Sequence, residues 1–377
     1  MKIVIAPDSF KESLTAIEAA SSIAEGMASV LTDAEIVQVP VADGGEGTTD
    51  ALVTATNGYW FTSRVSDPLG NCINARWAML GDGKTAVIEA AAASGLDLVE
   101  PGSRNPWLAT SRGTGELILA ALDHGARHFI VGLGGTATND AGAGLLQALG
   151  ARLLDEQGQD LSLGGGALSR LVTIDLNSLD ERLFDARFEI ACDVDNPLVG
   201  ANGASAVFGP QKGADDGMVK LLDESLRHFG QVLERITSKH ILNTPGAGAA
   251  GGLGAMFLAF FNSNLRSGID IVLDAVSIDR HFEDADLVVT GEGRIDGQSV
   301  RGKTPIGVAR RAREHGIPVV VIAGSVSKDV DAVYREGVNA VFSITQGVTD
   351  LSSALKDGAV NLRFTAENIA RVLQVKL

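Results

Sequence analysis

The chain opens with an apolar run, Lys2 to Asp8 (KIVIAPD), that reads as a buried strand. Behind it, Ala16, Ile17, Ala20, Ile23, Ala24 and Met27 recur at helical spacing. They predict a helix from Leu14 to Leu31 with Ser13 as its N-cap. A second strand, Glu35 to Asp43, leads through Gly44 and Gly45 into a helix over Thr48 to Thr56. This βαβα opening implies a parallel sheet with right-handed crossovers. The last third repeats the pattern. Residues 286–291, 318–324 and 339–345 are continuous apolar runs separated by helical segments, as in strands covered on both faces.

The middle differs. Residues 59–93 read as short strands broken by turns at Pro68-Leu69-Gly70 and Gly81-Asp82-Gly83, which predicts antiparallel pairing. A helix over Gly115 to Asp123, the strand HFIVGL, a glycine-rich loop and a long amphipathic helix over Asp216 to Lys239 follow. The expected fold class is α/β. A doubly wound, flavodoxin-like parallel-sheet domain would be built from both chain ends, residues 1–65 and 280–377. A second, mixed α/β domain would be inserted over residues 66–279.

Composition narrows the function. Of 377 residues, 45 are glycine, without collagen-like period and clustered between apolar runs, where backbone must approach a ligand or take a positive φ. The formal net charge of -16 argues against nucleic acid as a partner, since such binders carry basic stripes. It also means that an anionic substrate needs local neutralisation by amides, lysines or a divalent metal. Cys72 and Cys192 show no metal-binding spacing, the opening reads as a strand and not a signal peptide, and no apolar run approaches the about 20 residues of a membrane span. The expectation is a cytoplasmic protein. No feature specifies an oligomeric state.

The strongest local signal is HFIVGLGGTATNDAGAG (His128 to Gly144), a strand running into glycines and then towards a helix, an arrangement that suits phosphate. GQSVRGKT (Gly297 to Thr304) satisfies the Walker A pattern in letters only. Six residues, Gly291 to Asp296, separate it from its expected strand, and the next strand ends in Gly324-Ser325 where a Walker B aspartate is wanted. GAGAAG (Gly246 to Gly251) follows no clear strand and reads as a small-residue helix entry. Acid-bearing loops follow several strand ends: Asp8 with Ser9 and Lys11, Asp43 with Glu46, Asp193 with Asp195 and Asn196, Glu292 with Asp296. Together they point to metal-assisted phosphoryl transfer at the carboxyl edge of a sheet.

Taken whole, the chain resembles the bacterial glycerate kinases. The segments that carry the resemblance include APDSFKES (Ala6 to Ser13), PVADGGEGT (Pro40 to Thr48), GLGGTATNDAGAG, ACDVDNPLVGANGASAVFGPQKGA (Ala191 to Ala214) and TGEGRIDGQSVRGKTPIG (Thr290 to Gly307). The resemblance implies two α/β domains with the site between them, and phosphorylation of D-glycerate, with ATP and Mg²⁺, to 2-phosphoglycerate. It makes Asp193, Asp296 and Lys11 the catalytic candidates, with Asp193 and Asp296 also the metal candidates. Members often carry Thr in place of Asp195, which favours Asp193 in that loop. Ser9, Phe10, Asp43, Gly45, Glu46 and Glu292 are candidates for the substrate, and Gly134, Gly135, Thr136, Asn139 and Lys303 for the nucleotide phosphates. Rival readings are a kinase of another small hydroxy acid, a 3-phosphate-forming enzyme, and a non-catalytic nucleotide-binding sensor.

Overall fold

The computed structural model describes residues 1–45, 47–297 and 299–375. Among them run β1 (Lys2–Ile5), β2 (Glu35–Gln38), β3 (Tyr59–Ser66), β4 (Cys72–Met79), β5 (Thr85–Glu89), β6 (His128–Gly132) and β7 (Arg152–Leu154). They are followed by β8 (Thr173–Asp175), β9 (Arg187–Ala191), β10 (Asn262–Arg266), β11 (Leu287–Ile295), β12 (Val319–Val326) and β13 (Ala340–Ser343). Two units emerge, residues 1–56 with 267–377, and residues 57–266.

The first unit holds a five-stranded sheet in the order β13-β12-β11-β1-β2, every neighbouring pair parallel. Counted within the unit this is the flavodoxin-like order, and the winding reverses between β1 and β11. At that reversal the crossovers lead away to opposite sides, leaving a crevice at the carboxyl ends of the two strands. Ile3, Val4 and Ile5 are fully buried, which stabilises the unit by roughly 1.5–3 kcal/mol per side chain. One face is covered by the helices Ala16–Ala28 and Gly358–Leu373, whose Ile23, Met27, Leu362 and Ile369 join that core.

Two sequence expectations are corrected here. The first helix is capped by Thr15 and not Ser13: Thr15 Oγ1 accepts the Glu18 amide at 3.2 Å, and the Glu18 carboxylate accepts the Thr15 amide at 2.9 Å. This reciprocal box needs an acid three residues on, which Thr15 has and Ser13 lacks. Ser13 Oγ donates instead to the Leu355 carbonyl at 2.6 Å. The second correction is that β11 continues past Gly291 to Ile295, paired with β12 through Ile295 and Val326. The interval that separated GQSVRGKT from its strand is therefore almost all strand, because inter-strand pairing carries a polar GEGRI stretch that has little strand signal of its own.

The second unit is built on a six-stranded sheet, β10-β9-β6-β5-β4-β3. β5, β6, β9 and β10 run parallel, while β3 and β4 form the antiparallel hairpin expected from the turn signals. Asp67 closes its turn by accepting the amides of Leu69 and Asn71 at 2.8 Å each. Phe129 and Phe188 stack at 4.8 Å in the core, and the helix Asp216–Thr237 buries Leu222, Leu226, Phe229 and Leu233. GAGAAG does enter a helix, Ala249–Phe260, but Ala250, Gly251 and Gly252 are left-handed there, so the entry is a kink. No helix among the described residues is long and apolar enough to cross a membrane.

Candidate active site

The chemistry of the first unit gathers at the reversal between β1 and β11. Beyond β1 the chain stays beside β11, with the Asp8 amide donating to the Gly291 carbonyl at 2.8 Å. One oxygen of Asp8 accepts the Ser9 amide at 2.6 Å, and the other accepts the Thr304 hydroxyl at 2.5 Å. Thr304 is fully buried and opens the helix Thr304–Glu314, whose N-cap is Lys303. Burial pushes the Asp8 carboxyl above the ordinary range against the Thr304 donation, and the charge of Asp43 pushes it further.

Glu292, on β11, is 9% exposed. Its Oε1 accepts the hydroxyl of the fully buried Ser299 at 3.0 Å, and its Oε2 lies 3.4 Å from Lys303 Nζ. Burial drives this carboxyl up to about 7, although Lys303 and Ser299 both favour its charged form. Asp296 is tied to the same turn: its amide donates to Ser299 Oγ at 3.1 Å and its Oδ2 lies 3.4 Å from Arg294 Nε. Thus Glu292, Asp296, Ser299 and Lys303 form one linked group, and the Asp8–Thr304 pair adjoins it through the backbone at Lys303-Thr304.

The remaining first-unit candidates flank it. Lys11 is exposed on a tight loop in which the Phe10 amide donates to the Leu14 carbonyl at 2.8 Å and Glu12 takes a φ of 63°. Phe10 is 2% exposed and packs into the core. Ser9 and Asp43 are half-buried, with Asp43 Oδ1 accepting the Gly45 amide at 3.1 Å. Glu46 lies outside the described residues.

In the second unit, Gly134 and Gly135 are exposed just beyond β6, and Asp193 is exposed just beyond β9, its parallel neighbour. The same edge therefore carries both loops. Thr136 and Asn139, by contrast, are buried. Thr136 Oγ1 accepts Lys212 Nζ at 3.2 Å, and Asn139 Nδ2 donates to Ser205 Oγ at 2.9 Å. Asp140 is fully buried and accepts the amides of Ser111, Gly142 and Gly144, so the helix start behind the loop is already supplied with a carboxylate.

Sequence reasoning passed over Lys212, Ser299 and the partnership of Thr304 with Asp8. Lys212 is 3% exposed, donates to the Thr138 carbonyl at 2.7 Å, and is lowered by burial to about 7, with the charge of Asp140 acting the other way. A lysine inside FGPQKGA is its only signal. For Thr304 the signal was the Walker A lettering. In sequence, the six residues between it and its strand and the want of an acid on the next strand argue against it. In the fold those residues are almost all strand, and the acid, Asp8, follows β1, the sheet neighbour on the other side.

No group of three or more His, Cys, Asp or Glu that could hold a metal ion occurs among the described residues. Two carboxylates, a hydroxyl and lysines suit instead a metal shared with substrate phosphates, which is how Mg²⁺ is commonly held.

The chain matches the model of the glycerate kinase family over residues 3–374. It is 54% identical over 375 residues to a glycerate kinase of Bacillus subtilis (strain 168), covering 100% of this chain and 98% of the relative. It is 51% identical, with the same coverage, to a glycerate 2-kinase of Escherichia coli (strain K12). A crystal structure from Salmonella typhimurium LT2, provisionally named glycerate kinase 2, superposes with a TM-score of 0.91 at 49% identity, covering 99% of this chain and 98% of that one. The chain belongs to the glycerate kinase family.

Proposed function

We propose that this kinase transfers the γ-phosphoryl group of ATP to the 2-hydroxyl of D-glycerate, giving 2-phosphoglycerate and ADP, in the cytoplasm. The observation that carries the reading is the set at the β1–β11 reversal, within a chain whose family match spans residues 3–374. Phosphoryl transfer asks little covalent chemistry of a protein. It asks for cations and donors on the moving group and a carboxylate that orients the attacking hydroxyl.

Lys303 and Lys11 are the cations for the phosphoryl oxygens. Glu292, with a carboxyl near neutrality, is suited to accept the hydroxyl proton. Asp8 and Asp43 would hold Mg²⁺ together with the donor's phosphates, and the Thr304 hydroxyl fixes the orientation of Asp8. A Mg²⁺ ion held there would supply charge neutralisation of the phosphates. Asp296 orients the turn that carries Ser299. In the second unit, Gly134 and Gly135 offer exposed backbone to an anion, and Asp193 is the proposed acid beside them.

An assay of ATP and D-glycerate coupled through enolase, pyruvate kinase and lactate dehydrogenase, with phosphoglycerate mutase left out, tests the reading. Signal without mutase supports the 2-phosphate. Signal only with mutase reverses the regiochemistry, and no ADP formation removes glycerate as the substrate. Alanine at Lys11, Asp193, Asp296 or Lys303 in turn tests each role, and wild-type kcat/KM removes that residue from the site.

A further inference from the structure

Two cavities open on the carboxyl edge of the five-stranded sheet, and Lys11 is on the wall of both. The larger, about 860 Å³, has the carboxylates of Asp8, Glu12, Glu18 and Asp50 on its wall beside Leu14, Ile17 and Val41. The smaller, about 520 Å³, has Phe10, Ile344, Val348, Leu351, Ala354 and Leu355 on its wall. It sits where Gly293 of β11, Gly324 and Ser325 of β12 and Thr345 beyond β13 come together, one strand from the reversal. Asp357 is the carboxylate that borders it.

Resting on the reading of ATP as donor, we infer that the 520 Å³ cavity holds the purine nucleoside, with the phosphates leading past Lys11 towards Lys303. Its size falls within the about 300–1,000 Å³ of ordinary small-molecule pockets, and an apolar wall with a few polar groups is their usual lining. Glycerate is a small anion covered in oxygens and gains nothing from six apolar side chains. A purine gains about 25 cal/mol for each Å² of apolar surface that it removes from water. Leu351, 74% exposed, and the fully exposed Val348 leave such surface bare at the rim. The exposed Gln346 amide, a donor and an acceptor in one group, can pair with a purine edge. The 860 Å³ cavity is the worse seat for the donor, since Glu12, Glu18 and Asp50 add three carboxylates there beyond Asp8, the proposed metal ligand, against the single Asp357 of the smaller cavity.

Substitution and photolabelling test the assignment. Ala354→Trp fills the cavity from the helix Leu351–Lys356 and is expected to weaken ADP binding, measured by calorimetry with Mg²⁺, by about tenfold or more, equivalent to about 1.4 kcal/mol. The KM for glycerate is expected to stay within about twofold. In the wild-type protein, 8-azido-ATP is expected to label the tryptic peptide Glu336–Lys356. Unchanged ADP affinity in a folded Ala354→Trp protein overturns the assignment. Labelling confined to His128–Arg152, the peptide of the glycine-rich loop, overturns it as well, and does so even where the variant fails to fold. Both readouts are of binding, so a failure of glycerate turnover shows itself separately in the coupled assay.

Discussion

The Thr304 hydroxyl donates a 2.5 Å hydrogen bond to Oδ2 of Asp8, across 296 positions of sequence. It ties the start of the helix Thr304–Glu314 to the chain just beyond β1, the parallel neighbour of β11 in the sheet. Thr304→Val keeps the shape and removes the donor from a buried site. It should destabilise the fold by about 1–3 kcal/mol in urea denaturation and lower kcat/KM. Thr304→Ser should restore both. A fully active, fully stable Val variant would falsify the role given to this bond.

Glu292 links stability to pH. Its carboxyl is raised from 4.5 to about 7, so between those values the folded chain holds a proton that the unfolded chain releases. Stability from this group therefore falls as pH rises through that window. Glu292→Gln should gain on the wild type across it, by on the order of 1–3 kcal/mol at pH 8. Turnover should fall at every pH, and the acidic limb of the kcat/KM profile should disappear. Parallel stability curves for the two proteins from pH 4.5 to 8 would rule the assignment out.

Gly291 is a packing constraint on the site. A Cβ there would lie 2.2 Å from the Ile322 carbonyl oxygen and 3.3 Å from the Phe10 ring. Gly291→Ala must spread β11 from β12, and its carbonyl is the acceptor that anchors the Asp8 amide. The expected result is a loss of about 1–3 kcal/mol together with a lower kcat. Wild-type melting and turnover would show that the sheet absorbs the methyl at no cost.

Lys212 holds the glycine-rich segment from behind. Lys212→Met leaves the Thr138 carbonyl without that donor in a buried place and should cost about 1–3 kcal/mol at pH 6. The cost should grow as pH rises above about 7, because the folded chain gives up the Lys212 proton there while the unfolded chain keeps it to about 10.5, so the wild type gains stability that the Met variant lacks. A cost that stays constant from pH 6 to 9 would mean that the ammonium keeps its charge throughout.

The parallel strands and most helices were legible because continuous apolar runs and helical spacing report burial directly. KIVI and VVVI are strands in any compact α/β arrangement. The polar end of β11 was not legible, since Glu292 and Arg294 enter the strand through pairing with β12 and not through their own preference. With that end missing, Ser299, Lys303 and Thr304 lost their place in the fold. The partners of Thr136 and Asn139 were not legible either: Lys212 and Ser205 reach them from 76 and 66 positions away in sequence.

By itself the sequence determined the α/β class and, through long ordered segments, the family. These depend on local periodicity and residue identity, which a linear string carries. Only the tertiary structure decided that Asp8 partners Thr304, that Glu292 is buried beside Lys303, and that Lys212 stands under the glycine-rich loop. Each pairing joins residues from different strands or loops, and its geometry and proton affinity come from burial and neighbours that sheet order alone creates.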